Sequence, residues 1–124
     1  MKYKVFILHV VLLIFVTAGN AYAGFSCYGK ITQLGIDGGG DVAVSLTNSA
    51  DSQYSTPIHK MCNVNSKGSF TFNEASCKAA YSAFLSAKVS GQQVKIFYSS
   101  TTLSCSTLPS WGQVTNAYFV EGPF

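Results

Sequence analysis

The stretch NEASCKAAYSAFLSAKVSGQQVKIFY, residues 73–98, decides the fold, because a helical period gives way to a strand period within it. Asn73 is a good N-cap, Glu74 adds negative charge to a first turn, and Gly91 stands just past the last periodic residue, so the spacing predicts a helix over 74–89. Cys77, Ala80, Tyr81, Phe84 and Leu85 fall at i, i+3, i+4, i+7 and i+8, one apolar stripe for a core. The opposite face is short and weakly charged: Lys78, Ala79, Ser82, Ala83 and Ser86. Two readings of that face stay open, a plain solvated surface and a close helix-to-helix approach in an oligomer. Beyond Gly91, Val94, Ile96 and Tyr98 alternate with Lys95 and Phe97, the period of a half-buried strand.

Working outward, residues 28–34 read as a first strand and 35–41, with three consecutive glycines, as a flexible turn. In 41–47 Val42, Val44 and Leu46 alternate with Ala43 and Ser45, a second strand. A polar loop over 48–56 and Pro57 lead into a third strand over 58–64, closed by a turn at 65–69. Downstream of residue 98 a long loop covers 99–112, and 114–120 alternates as a fifth strand. Three strands, one helix and two strands predict an all-β domain with one helix, a small five-stranded OB-type barrel with the helix between strands three and four.

The amino terminus predicts export. Lys2 and Lys4 precede an apolar run over 5–18, and Ala21-Tyr22-Ala23 is a good cleavage site, so residues 1–23 read as a signal peptide and 24–124 as a single secreted or periplasmic domain. The run is shorter than the roughly 20 residues of a membrane span, and no membrane-spanning segment is expected. Loss of Lys2 and Lys4 leaves six lysines, no arginine and five acids, a net charge of only +1. A phosphate-binding surface therefore has little support, and no nucleic-acid partner is expected.

Four cysteines, Cys27, Cys62, Cys77 and Cys105, in a short exported chain read as two disulfides. No C-x-x-C pair exists and His59 is the only histidine after residue 23, so neither a zinc site nor any cofactor is expected. Three connectivities are possible. The turn after the helix sends strand four back along it, which brings the Cys105 loop near the helix start and favours Cys77 with Cys105 and Cys27 with Cys62.

Catalysis has little to work with. His59, alternating with Ile58 and Lys60, reads as a surface or edge histidine, and Asp37, Asp41, Asp51, Glu74 and Glu121 form no paired motif, so the chain is not expected to be an enzyme. The residues are compatible with sugar binding, because aromatic faces hold a sugar's C–H patch and small polar groups meet its hydroxyls, although Tyr28 and Tyr54 suit ordinary surface or edge packing equally well. Tyr28, Tyr54, Tyr98 and Trp111 offer faces, and Ser99-Ser100-Thr101-Thr102 offers hydroxyls beside Tyr98. Tyr98 shares a strand face with Val94 and Ile96, so a core role stays open, and Trp111 after Pro109 is expected to plug the barrel end.

Residues 90–98, SGQQVKIFY, closely resemble a T-G-Q-x-V-R-I-Y-Y segment of the B subunits of subtilase cytotoxin and its relatives among the pertussis-like AB5 toxins. Residues 30–34, KITQL, resemble that family's first strand, and a helix with a tyrosine and small residues precedes the matching segment in both. The resemblance implies an OB fold, a homo-pentameric ring with helices lining its pore, a host-surface sialylated glycan as ligand and a toxin A subunit as partner. The glycan-contacting tyrosine falls on Tyr98, supported by Ser99 and Ser100, and a contacting serine finds its nearest counterpart in Ser26. The pore-lining helix face falls on Lys78, Ala79, Ser82, Ala83 and Ser86. Cys62 matches a family cysteine, whereas Cys27, Cys77 and Cys105 stand elsewhere.

Overall fold

The computed structural model describes residues 24–124, so the signal segment expected over 1–23 lies outside the described residues. In chain order the elements are β1 (Phe25–Ile36), β2 (Asp41–Thr47), β3 (His59–Asn63), α1 (Glu74–Ser90), β4 (Gln93–Tyr98) and β5 (Ala117–Glu121). Single 3-10 turns lie at Ser52–Tyr54 and Cys105–Thr107.

Helix α1 starts and stops for the expected reasons. The Asn73 side chain accepts the Ser76 N–H at 2.8 Å, and Gly91 takes the left-handed conformation at φ 69° while its N–H returns to the Ala87 carbonyl. Cys77, Ala80, Phe84 and Ala87 are buried, Tyr81 is half-buried, and Leu85 is exposed. The predicted stripe is therefore turned towards Ala80 and Ala87. At about 100° per residue these lie on the far side of Phe84 from Leu85, and their small side chains let the helix sit close to the sheet.

The five strands form one open antiparallel sheet in the order β3-β2-β1-β4-β5, not the closed barrel expected. Long β1 pairs with β4 through its first half and with β2 through its second, both ladders meeting at Lys30, and a bulge at Thr32 interrupts the β2 ladder just beyond. The chain approaching β5 touches the free side of β3 in a single parallel bridge, Lys60 to Gln113. Lys60 donates its N–H to the Gly112 carbonyl and accepts from the Val114 N–H, both at 2.8 Å. No ladder continues from that bridge among the described residues, because β5 itself begins only at Ala117 and pairs with β4.

Val42, Val44, Leu46, Met61, Phe84, Val94, Ile96 and Tyr98 make the buried core between the sheet and α1. Strand β2 departs from simple alternation, for Ala43 and Ser45 on its second face are buried too. The disulfides are Cys27–Cys105 and Cys62–Cys77, correcting both expected pairs. The register explains the exchange. Tyr98 lies opposite Phe25, so the loop leaving β4 emerges beside the start of β1 and reaches Cys27, while β3 ends close to the first turn of α1 and brings Cys62 to Cys77.

Candidate functional site

The residues expected to hold a ligand gather at one end of the β1/β4 pair but do not share a face. Phe25 opposes Tyr98 and Ser26 opposes Phe97, and directly opposed residues point the same way. Phe25 stacks on Tyr98 in the core, with ring centroids 4.9 Å apart, so Ser26 and Phe97 look out from the other side. Tyr98 has no exposed surface, and its hydroxyl lies 2.7 Å from His59 Nε2. Burial pushes the Tyr98 phenol far above its usual range. Ser99 is exposed and donates its N–H to the Asn116 carbonyl, whereas Ser100 Oγ accepts from the Thr102 and Leu103 amides and shapes its own turn.

A different place collects exposed chemistry. A cleft of about 580 Å³ opens between the end of β1, the approach to β3 and the loop before β5. Leu34, Ile36, Ala43 and Ile58 make its apolar wall, and Trp111 stands beside them with 61% of its surface exposed. The expected plug at the end of a barrel is thus an open aromatic face.

The backbone explains why. Gly112 returns its N–H to the Pro109 carbonyl at 3.1 Å, closing a turn in which Trp111 takes φ 60°. That position normally belongs to glycine or asparagine, and a bulky residue there costs about 1–2 kcal/mol. The turn is held from outside, since Trp111 donates its N–H to the Ile58 carbonyl at 2.7 Å. Gly112 cannot be replaced cheaply, because a Cβ there would meet the Pro109 ring at 2.7 Å.

Charge enters the cleft from two lysines. Lys60 Nζ lies 2.9 Å from Asp37 Oδ2 and 3.6 Å from Asp41 Oδ2, while Lys88 Nζ donates to the Thr32 carbonyl at 3.2 Å. Hydrogen bonding to the Lys60 ammonium holds the Asp37 carboxyl below its usual range, and the same bond raises Lys60. Asp37 Oδ1 is occupied by the Gly39 and Asp41 amides, so this carboxylate is a fixed brace. An ammonium has three donors, so neither lysine is saturated by the partners it has. Asp37 and Asp41 offset the charge of Lys60, so an aromatic face, an aliphatic wall and the Lys88 cation suit a ligand with a C–H surface and an anionic or hydroxylated edge.

His59 stands on β3, an edge strand of the sheet, but its ring is fully buried rather than at the surface. Among the described residues no group of three or more His, Cys, Asp or Glu is arranged to hold a metal ion, and no helix is long and apolar enough to cross a membrane. On α1, Lys78, Ala79, Ser82 and Ser86 are exposed and Ala83 is half-buried beside a groove shared with Tyr118 and Phe119. Sequence reasoning missed Asp37, Lys60 and Lys88 as cleft residues. The glycine run after Asp37 reads only as a turn, and nothing local pairs it with a lysine 23 positions on. Pro109-Ser110-Trp111-Gly112 does carry a turn signal that places a tryptophan at the surface. No protein-family model, curated protein or solved structure matches this chain.

Proposed function

We propose that residues 24–124 form a secreted glycan-binding module of the AB5 B-subunit type, with its sugar site in the Trp111 cleft. The observation that carries this reading is Trp111 itself, an exposed indole held in a costly backbone conformation above an apolar wall. Strained residues cluster where function needs them, and an indole face suits the C–H side of a pyranose. Lys88, which sits on the cleft without a carboxylate partner among the described residues, favours a sugar carrying a carboxylate, which agrees with the sialylated class implied by the resemblance. A site at Tyr98 would require its ring to leave the core, whereas the cleft needs no rearrangement.

The remaining parts of the reading have separate supports. Two disulfides suit an oxidising compartment and hence export. The strand order, with the parallel bridge from β3 to the approach of β5, suits an OB-type barrel left open at that seam. The small-residue face of α1 suits close packing in a homo-pentamer, and a toxin A subunit is the partner such a ring would carry. Binding rather than catalysis is supported by the buried, doubly engaged His59 and the braced Asp37. A second reading, a protein-interaction domain that binds no glycan, is favoured by exposed Tyr118 and Phe119 beside the α1 groove.

Titration of the oxidised domain with a sialylated trisaccharide and with its desialylated core tests the proposal, followed through the Trp111 indole N–H resonance. The sialylated sugar is expected to shift that resonance saturably and the neutral core to shift it more weakly. Absence of any shift with both sugars at millimolar concentration contradicts the proposal.

A further inference from the structure

His59 opens β3 with its ring buried in the core and both nitrogens engaged. Nδ1 lies 2.9 Å from the Pro57 carbonyl oxygen and Nε2 lies 2.7 Å from the Tyr98 hydroxyl. A carbonyl can only accept, so Nδ1 carries the proton, and Nε2 accepts from Tyr98. A second ring proton breaks this arrangement. Nε2 then becomes a donor, the Tyr98 hydroxyl must turn to accept it, and the hydroxyl proton faces no other partner among the described residues. Among the described residues the new charge also has no carboxylate within ion-pair distance. Tyr28 and Lys30 on β1, Asp41 on β2, Lys60 on β3, Glu74, Lys78, Tyr81 and Lys88 on α1, Lys95 on β4, and Tyr118 and Glu121 on β5 sit at solvent-reaching positions, and Tyr98 is the titratable side chain that touches the ring. An unpaired charge at such a depth is relieved by local opening.

The segment that must open is the one holding Trp111. Ile58 accepts the Trp111 N–H, while Lys60 donates to Gly112 and accepts from Val114. Ile58 and Lys60 also contribute side chains to the cleft, whereas His59 between them points inward. Inner ring, backbone hydrogen bonds and cleft wall therefore belong to one four-residue strip, 57–60.

We propose that His59 is an acid-operated latch on the Trp111 cleft: proton uptake by its ring frees the 57–60 strip, lets the Trp111 turn go and releases the bound ligand. As regulation of that cleft, the latch rests on the binding reading above. Burial holds the His59 pKa below its ordinary value, with the Pro57 carbonyl acting in the opposite direction. The sign follows from this. The opened state protonates near the ordinary value of about 6.5 while the closed state resists, so closure is fully favoured above that pH and weakens as pH falls below it.

Amide exchange of the ligand-free, oxidised domain between pH 7.5 and 4.5 tests the latch, with the His59 ring titrated by NMR in the same samples. Protection factors of Trp111, Lys60 and Val114, corrected for intrinsic rates, are expected to fall up to about tenfold per pH unit below 6.5. Core amides of β1 and β4 are expected to stay protected over the first of those units. His59→Gln is expected to remove the pH dependence. Should that variant not fold, the wild-type comparison decides: the loss of protection must set in near pH 6.5 and be confined to Trp111, Lys60 and Val114, while the bulk His59 ring titrates at a lower pH. Constant protection down to pH 4.5, or an equal loss of protection in a folded His59→Gln, overturns the latch. Because no sugar is present, a failed glycan titration at neutral pH contradicts the binding reading without touching this result.

Discussion

Trp111 at φ 60° ties local strain to the proposed site, and that tie is open to mutation. Glycine removes both the strain and the exposed ring, so Trp111→Gly is expected to keep the fold or stabilise it by up to about 1 kcal/mol, a rise of roughly 4–8 °C in a domain of this size. A fall in melting temperature would show that the indole packs rather than binds. Tyr98 behaves in the opposite way. Tyr98→Phe leaves His59 Nε2 buried without a donor and is expected to cost about 1–3 kcal/mol, while Tyr98→Ala is expected to cost about 3–5 kcal/mol. Chemical denaturation of both variants checks this, and unchanged stability would return Tyr98 to the surface. At this scale the sequence was ambiguous for a physical reason: a tyrosine alternating with valine and isoleucine suits either a core or a strand end, and only distant partners, His59 at 39 positions and the stacked Phe25, separate the two.

Elements were far more legible than contacts. The second strand, the Asn73 cap and the Gly91 stop stand where local chemistry puts them, because a cap or a period needs only neighbouring residues. Asn73→Ala is accordingly expected to cost about 1 kcal/mol by denaturant melts, and no loss would mean that the cap bond is not formed in solution. The buried arc of α1 was misjudged by one step, since Leu85 is the larger apolar residue but Ala87 fits the narrow gap against the sheet. The exposed face of the same helix carries the assembly proposal. Ala83→Arg is expected to turn a five-subunit species in light scattering into a folded monomer, as a long cation cannot be buried at a close approach without a partner. A monomer in the unmutated protein at high concentration contradicts the ring.

Across the whole molecule, long-range pairing was the part that sequence order could not carry. The disulfide exchange arose because β4 pairs with β1, which delivers the Cys105 loop to Cys27 instead of to the helix. Loop length then ranks the two bridges: Cys27–Cys105 spans 78 residues and Cys62–Cys77 spans 15, so removing the first is expected to cost about 1–1.5 kcal/mol more in the chain-entropy picture. Equal losses in the two double-serine variants would place strain or residual structure above loop entropy. The cleft is likewise a product of topology, since β1, β3 and the approach to β5 supply its walls, and the first and last of these lie more than 70 residues apart. Its role is tested most directly by a glycan array probed with the oxidised domain and with Trp111→Gly, each checked by a thermal melt. The account predicts that sialylated glycans retain the wild-type domain and that the equally folded variant is not retained; equal retention of the variant, or a folded wild-type domain that no glycan holds, would contradict it.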